Sequence, residues 1–173
     1  MKNDKLKSVI VLTVICLIVT ALLALTNSVT APIIEKTRES KVQDSLKTVL
    51  PNADSFKEVE LPDDAPDTIK SAFISDDGSY AIVLATRSAY SSGDMGITVG
   101  VDPDGNIAGI TLTSYQESKD FGKDTYPLNY IGKNMSDYSD VDSFAGVTYS
   151  SKALKNAIGD ALSLIDTLKG GAA

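Results

Sequence analysis

The run Met95-Gly96-Ile97-Thr98-Val99-Gly100-Val101 alternates, with Ile97, Val99 and Val101 on one side. That is the period-two pattern of a half-buried strand. Asp102-Pro103-Asp104-Gly105-Asn106 follows, with the residue types of a tight turn, and Ile107 to Ser114 is again rich in Ile, Leu and Thr. Two such runs joined by a short turn predict an antiparallel hairpin. Upstream, Tyr80 to Thr86 is a short apolar, β-branched run that suits a buried strand.

Downstream, Leu154, Ala157, Ile158, Ala161, Leu162, Ile165 and Leu168 recur at helical spacing. The run after Ser151 therefore predicts a helix with one buried face, and Ser150 or Ser151 is expected to cap it. Ala31-Pro32 through Leu50 also predicts a helix, with Pro32 in the first turn, Val42, Leu46, Val49 and Leu50 at helical spacing, and Pro51 ending it. Residues 51 to 68 hold Pro51, Pro62 and Pro66 among many acids and read as a solvated loop or short connectors; residues 123 to 141 read as irregular. The expected class is α+β, an antiparallel sheet packed against helices.

At the start of the chain, Val9 to Leu25 contains no charge and is interrupted only by Thr13, Cys16 and Thr20. That length is at the lower limit for a membrane span of about 20 residues. A cleavable signal peptide shares these features, and an uncleaved anchor is the expectation here. Lys2, Lys5 and Lys7 precede the run with one Asp4, so the positive-inside bias predicts a cytoplasmic N-terminus and an extracytoplasmic remainder at the cell (inner) membrane. A lipoprotein reading fails, because Cys16 follows Ile15 in the middle of the apolar run. The expected organisation is a stub and anchor over 1–30, a helix and acidic connector over 31–70, and one extracytoplasmic domain over 71–173.

Composition restricts the chemistry. Beyond residue 30 there are 13 Lys and Arg against 22 Asp and Glu, so a phosphate-contacting nucleic-acid surface is not expected. The chain has no histidine and one cysteine. Ser-His and Cys-His catalysis, histidine haem ligation, thiolate iron–sulfur binding and disulfides are thereby excluded. No catalytic residue and no metal ligand set is assigned, and redox chemistry in this chain needs an organic cofactor.

The remaining signal lies in Asp142-Ser143-Phe144-Ala145-Gly146-Val147-Thr148-Tyr149-Ser150-Ser151. By spacing alone this is a turn running into a helix, and a helix start suits an anionic group such as a phosphate. Thr148 reads on that basis as a turn or cap residue. Asp142, Gly146 and Thr148, followed by Ser150 and Ser151, also resemble the flavinylation motif of the FMN-binding domain family, with Ala145 where Ser or Thr is common and Val147 where Ala is usual. Glu117-Ser118-Lys119-Asp120-Phe121-Gly122 resembles that family's Glu-Thr-Pro-Gly-Leu-Gly loop without its proline and first glycine. Tyr90-Ser91-Ser92-Gly93 is a weaker match to its Gly-Tyr-Gly-Gly turn.

The resemblance implies FMN carried on the Thr148 hydroxyl through a phosphodiester, placed there by a flavin transferase that uses FAD. It implies a flavin site built from Gly146, Val147, Tyr149, Ser150, Ser151, Glu117 and Ser118 around Thr148. Tyr90, Tyr115 and Tyr149 are candidates either to stack on the flavin or to fill the core. With its anchor, the chain is similar to the RnfG family, a component of the Rnf complexes, the ion-translocating ferredoxin:NAD oxidoreductases. The implied role is an electron relay among membrane subunits that carry flavin and iron–sulfur centres. The C component of the sodium-translocating NADH:quinone reductase has a similar motif on a generally longer chain. The other readings are a flavin-free membrane-anchored binding or structural module and a pilin-like protein; for the latter, Lys7-Ser8-Val9 supplies no prepilin-type cleavage site.

Overall fold

The computed structural model describes residues 2–88, 92–116 and 122–170. The chain divides into two units, residues 1–41 and 42–173.

The first unit lies within helix α1 (Lys2–Val49). No charged residue occurs between Lys7 and Glu35, and from Lys7 the helix is long and apolar enough to cross a membrane, with a mean hydropathy of 3.0 in its most apolar window. The hydroxyls that interrupt the apolar run are satisfied inside the helix. Thr13 donates to the Val9 carbonyl at 2.9 Å and Thr20 to the Cys16 carbonyl at 2.8 Å, which meets the requirement that polar groups in lipid find internal partners. The helix read over Ala31 to Leu50 continues the apolar run without a break, and Pro32 lies inside α1, not in the first turn of a helix.

In the second unit the described residues form a five-stranded antiparallel sheet in sequence order. Its strands are β1 (Phe56–Val59), β2 (Ile69–Ser75), β3 (Tyr80–Thr86), β4 (Met95–Val101) and β5 (Ile107–Ser114). The last three coincide with the alternating run and the two apolar, β-branched runs read from the sequence. β1 lies inside the stretch expected to be a connector. Its pattern, Phe56-Lys57-Glu58-Val59, is too short and too polar to announce a strand, and it forms by pairing with β2, Phe56 opposite Ser75 and Val59 opposite Ala72.

Alternation gives the sheet two apolar faces. One carries Ile82, Leu84, Met95, Ile97, Val99, Val101, Ile107 and Ile110, which are buried with Leu154, Ala157, Ile158, Ala161, Leu162 and Ile165 of α2 (Thr148–Gly170). The other carries Phe73 and Ala81, which are buried with Leu46, Val49 and Leu50 at the end of α1. Gly100 and Gly109 are directly paired across β4 and β5. A Cβ on Gly109 would stand 2.4 Å from the Val49 carbonyl oxygen and one on Gly100 2.9 Å from it, so two glycines admit the helix end to the sheet. Thr98, fully buried, donates to the Ser45 hydroxyl at 2.9 Å on the same face.

Candidate functional site

Helix α2 begins at Thr148, four residues ahead of the run after Ser151 that the apolar spacing marks. The amide of Ser151 donates to the Val147 carbonyl at 3.1 Å, the first i to i−4 bond of the helix. Ser150 and Ser151 are thus in the first turns of α2 and do not cap it. Both are buried. The Ser151 hydroxyl donates to the Val147 carbonyl at 2.9 Å and accepts the Phe144 amide at 3.0 Å. Asp142 and Thr148 are exposed and Val147 is half-buried against the core.

The turn ahead of the helix reverses at Gly146, whose φ is +81°, a conformation open to glycine and strained for other residues. Phe144 N–H is held by Ser151 as above, and its carbonyl accepts the Val147 amide at 3.1 Å. The Tyr126 hydroxyl, from the 3-10 turn Tyr126–Tyr130, donates to the Asp142 carbonyl at 2.8 Å. The Tyr126 and Phe144 rings meet edge to face, with centroids 5.7 Å apart. Gly122, at φ +68°, stands beside the same ring, 3.7 Å separating the Phe144 Cε2 atom from the point a Cβ would occupy. Gly122 of the second motif and the Thr148 turn therefore share one neighbourhood. Glu117, Ser118 and Tyr90 lie outside the described residues.

A groove of about 650 Å³ runs along α2. Thr68, Thr86, Arg87 and Ser88 line it from the sheet, and Tyr149, Lys152, Ala153, Asn156, Asp160 and Ser163 line it from one face of the helix. Thr68 donates to Asp160 at 2.6 Å across it. Arg87 pairs with Asp94 at 2.9 Å, spanning the connection between β3 and β4. On the next segment, the Ser92 hydroxyl donates to the Gln116 carbonyl at 3.1 Å, so the ends of β3, β4 and β5 that carry two of the three motif segments are tied together. Of the tyrosines weighed in the sequence, Tyr149 lines the groove at 58% exposure, whereas Tyr115 packs against the core.

These residues suit a flavin mononucleotide. The volume is within the ~300–1,000 Å³ usual for cofactor pockets, Tyr149 offers a ring to a planar heterocycle, and Arg87 and Lys152 offer cations to an anionic ligand. An exposed hydroxyl in the first helical turn, Thr148, stands next to Tyr149 in sequence and one turn from Lys152. Sequence reasoning missed Arg87, Ser88, Lys152 and Asn156. The signal for the helical ones was the spacing 149, 152, 153, 156, 160 and 163, a second face of α2 opposite its apolar stripe. Among the described residues no group of His, Cys, Asp and Glu is arranged to hold a metal ion.

The second unit is thus a domain whose groove suits a flavin, and the chain ahead of it holds a helix of membrane-spanning length. Residues 91–163 match the FMN-binding domain family, and residues 1–49 match the RnfG N-terminal region. The chain carries an FMN-binding domain and is RnfG-like. The G component of the proton-translocating ferredoxin:NAD(+) oxidoreductase complex of Clostridium ljungdahlii is 22% identical over 173 residues, covering 92% of this chain and 91% of that one.

Proposed function

We propose that this chain is an electron-relay flavoprotein of an Rnf-type membrane complex, carrying FMN covalently on Thr148. The observation that carries the reading is the exposed Thr148 hydroxyl at the start of α2, preceded by the Gly146 turn and followed by a groove with Tyr149, Arg87 and Lys152. Support also comes from the similarity to the G component of a ferredoxin:NAD(+) oxidoreductase complex. The partners are then the other membrane subunits, with their flavin and iron–sulfur centres, and a flavin transferase during maturation.

In maturation the Thr148 oxygen attacks the FMN phosphorus of FAD. The bond from that phosphorus to the oxygen bridging it to the AMP half breaks, AMP leaves, and the hydroxyl proton is released. The product is a phosphodiester, which keeps the cofactor on the protein where an equilibrium complex would be diluted away outside the cell. When bound, FMN supplies one- and two-electron redox chemistry. The chain's own residues do the rest: Gly146, Val147 and Tyr149 shape the attachment turn, Ser150 and Ser151 lie in the helical turns behind it, and Glu117 and Ser118 are further candidates by their resemblance to the family's second loop. Tyr149 would offer its ring to a bound flavin, and Arg87 and Lys152 would partly offset the negative field of the acidic domain, which by itself disfavours a reduced anionic flavin.

The test is co-expression with a flavin transferase, followed by denaturation, in-gel fluorescence and peptide mass. The expected result is the mass of FMN less water on the peptide containing Thr148, its loss in Thr148→Val, and partial retention in Thr148→Ser. An unmodified wild-type chain, where a known acceptor is modified in parallel, overturns the reading in favour of a flavin-free module.

A further inference from the structure

We infer that Tyr126 and Ser151 are positioning residues that hold the acceptor turn ready for the transferase before any cofactor is present; this rests on the flavinylation of Thr148 proposed above. Residues 142–147 are exposed or half-exposed, and the turn reverses at Gly146, where nothing lies within 4 Å of a built Cβ. A segment with so little packing of its own loses backbone entropy on ordering and recovers little from burial. Two side chains from outside the turn offset that cost. Tyr126, 5% exposed, fixes its beginning through the Asp142 carbonyl and its middle through the edge of the Phe144 ring. Ser151, fully buried, fixes the middle through the Phe144 amide and the end through the Val147 carbonyl.

Neither side chain lines the groove, and both are buried, so they act through the turn and not on the flavin. Their effect is to fix Asp142 and Thr148, both exposed, in one relative placement. An enzyme that must bring the Thr148 oxygen in line with the phosphorus of FAD gains rate when the acceptor arrives in that geometry. Sequence spacing does not single out Tyr126, since it lies in a stretch that reads as irregular.

The experiment uses the full-length chain in detergent with a flavin transferase and FAD. It measures initial incorporation rates over a range of acceptor concentrations for wild type, Tyr126→Phe, Ser151→Ala and, as a control, Ser45→Ala, which removes a buried hydroxyl on the opposite sheet face. Amide hydrogen exchange of residues 143–147 is followed in parallel. Each turn variant removes at least one hydrogen bond that orders the turn, so kcat/KM for the acceptor is expected to fall about fivefold or more, with faster exchange confined to 143–147. Ser45→Ala is expected to leave both quantities at the wild-type value. Tyr126→Phe keeps the ring and removes one oxygen, so it remains informative if Ser151→Ala does not fold. Unchanged incorporation in Tyr126→Phe, or an equal fall in Ser45→Ala, overturns the inference while leaving Thr148 as the attachment point. A wild-type chain that takes up no flavin overturns the proposed function itself.

Discussion

At Gly146 the backbone is left-handed and its surroundings are empty, so a side chain there is resisted by backbone strain alone. Gly146→Ala is expected to destabilise the folded domain by about 1–2 kcal/mol, read from thermal melts. Gly122→Ala should cost at least as much, because its Cβ would also meet the Thr125 hydroxyl at 2.8 Å. Two melts with the wild-type midpoint would contradict the left-handed backbone at these glycines. Asp137 provides a different residue-scale check. The Asn134 amide, and after it the Lys133 ammonium, hold its carboxyl below the usual value of 3.8. A depressed folded value means that its stabilisation is fully present above the unfolded carboxylate range of ~3.9 and is lost only as pH falls through the folded value. The 134–137 turn is therefore expected to keep its NMR shifts from neutrality down to about pH 4 and to change below it. A carboxyl that titrates at or above the ordinary value would contradict this.

Among the elements, the end of α1 and the β4–β5 pair fit by subtraction of side chains. Val49 backbone atoms sit where Cβ atoms of Gly100 and Gly109 would be, and backbone cannot swing aside as a long side chain can. Gly109→Ala is expected to lift the helix end and cost about 1–3 kcal/mol, as overpacked cores do. Leu46→Ala, at a position with no exposure, should cost about 2–5 kcal/mol. Chemical denaturation measures both, and a neutral Gly109→Ala would place the helix end farther from the sheet. By contrast, Gly159 in α2 faces the Tyr138 ring, its built Cβ 2.6 Å from the hydroxyl oxygen. Tyr138 lines the groove, so Gly159→Ala is expected to move that ring and change the groove more than the fold.

For the whole chain, the apolar part of α1 sets how the protein is recovered from cells. An RnfG-like chain with an apolar helix from Lys7 onward is expected to stay in membranes through an alkaline carbonate wash and to leave them with detergent. Cys16, exposed on that helix, should resist a water-soluble maleimide in intact membranes and react once the membranes are dissolved. Ready labelling in intact membranes would place Cys16 in water and end the single-span reading.

Local chemistry in the sequence was enough for much of this protein. Period-two alternation marked β4, apolar and β-branched runs marked β3 and β5, the 3.6-residue stripe from Leu154 to Leu168 marked α2, and the uncharged N-terminal run marked the membrane-length helix, because each signal is complete within one segment. The Asp142 to Ser151 motif pointed to FMN through its resemblance to the FMN-binding domain family, since by spacing alone it reads as a turn running into a helix. Long-range pairing decided the remainder. β1 exists only because β2 supplies its ladder, the Ser151 hydroxyl inside the first turns of α2 accepts the Phe144 amide of the turn ahead, and the groove forms only where the end of β3, with Arg87, comes beside α2, with Lys152. Tyr126 reaches Asp142 across sixteen residues of sequence, and no periodicity within either segment encodes a contact that depends on how the chain folds back on itself.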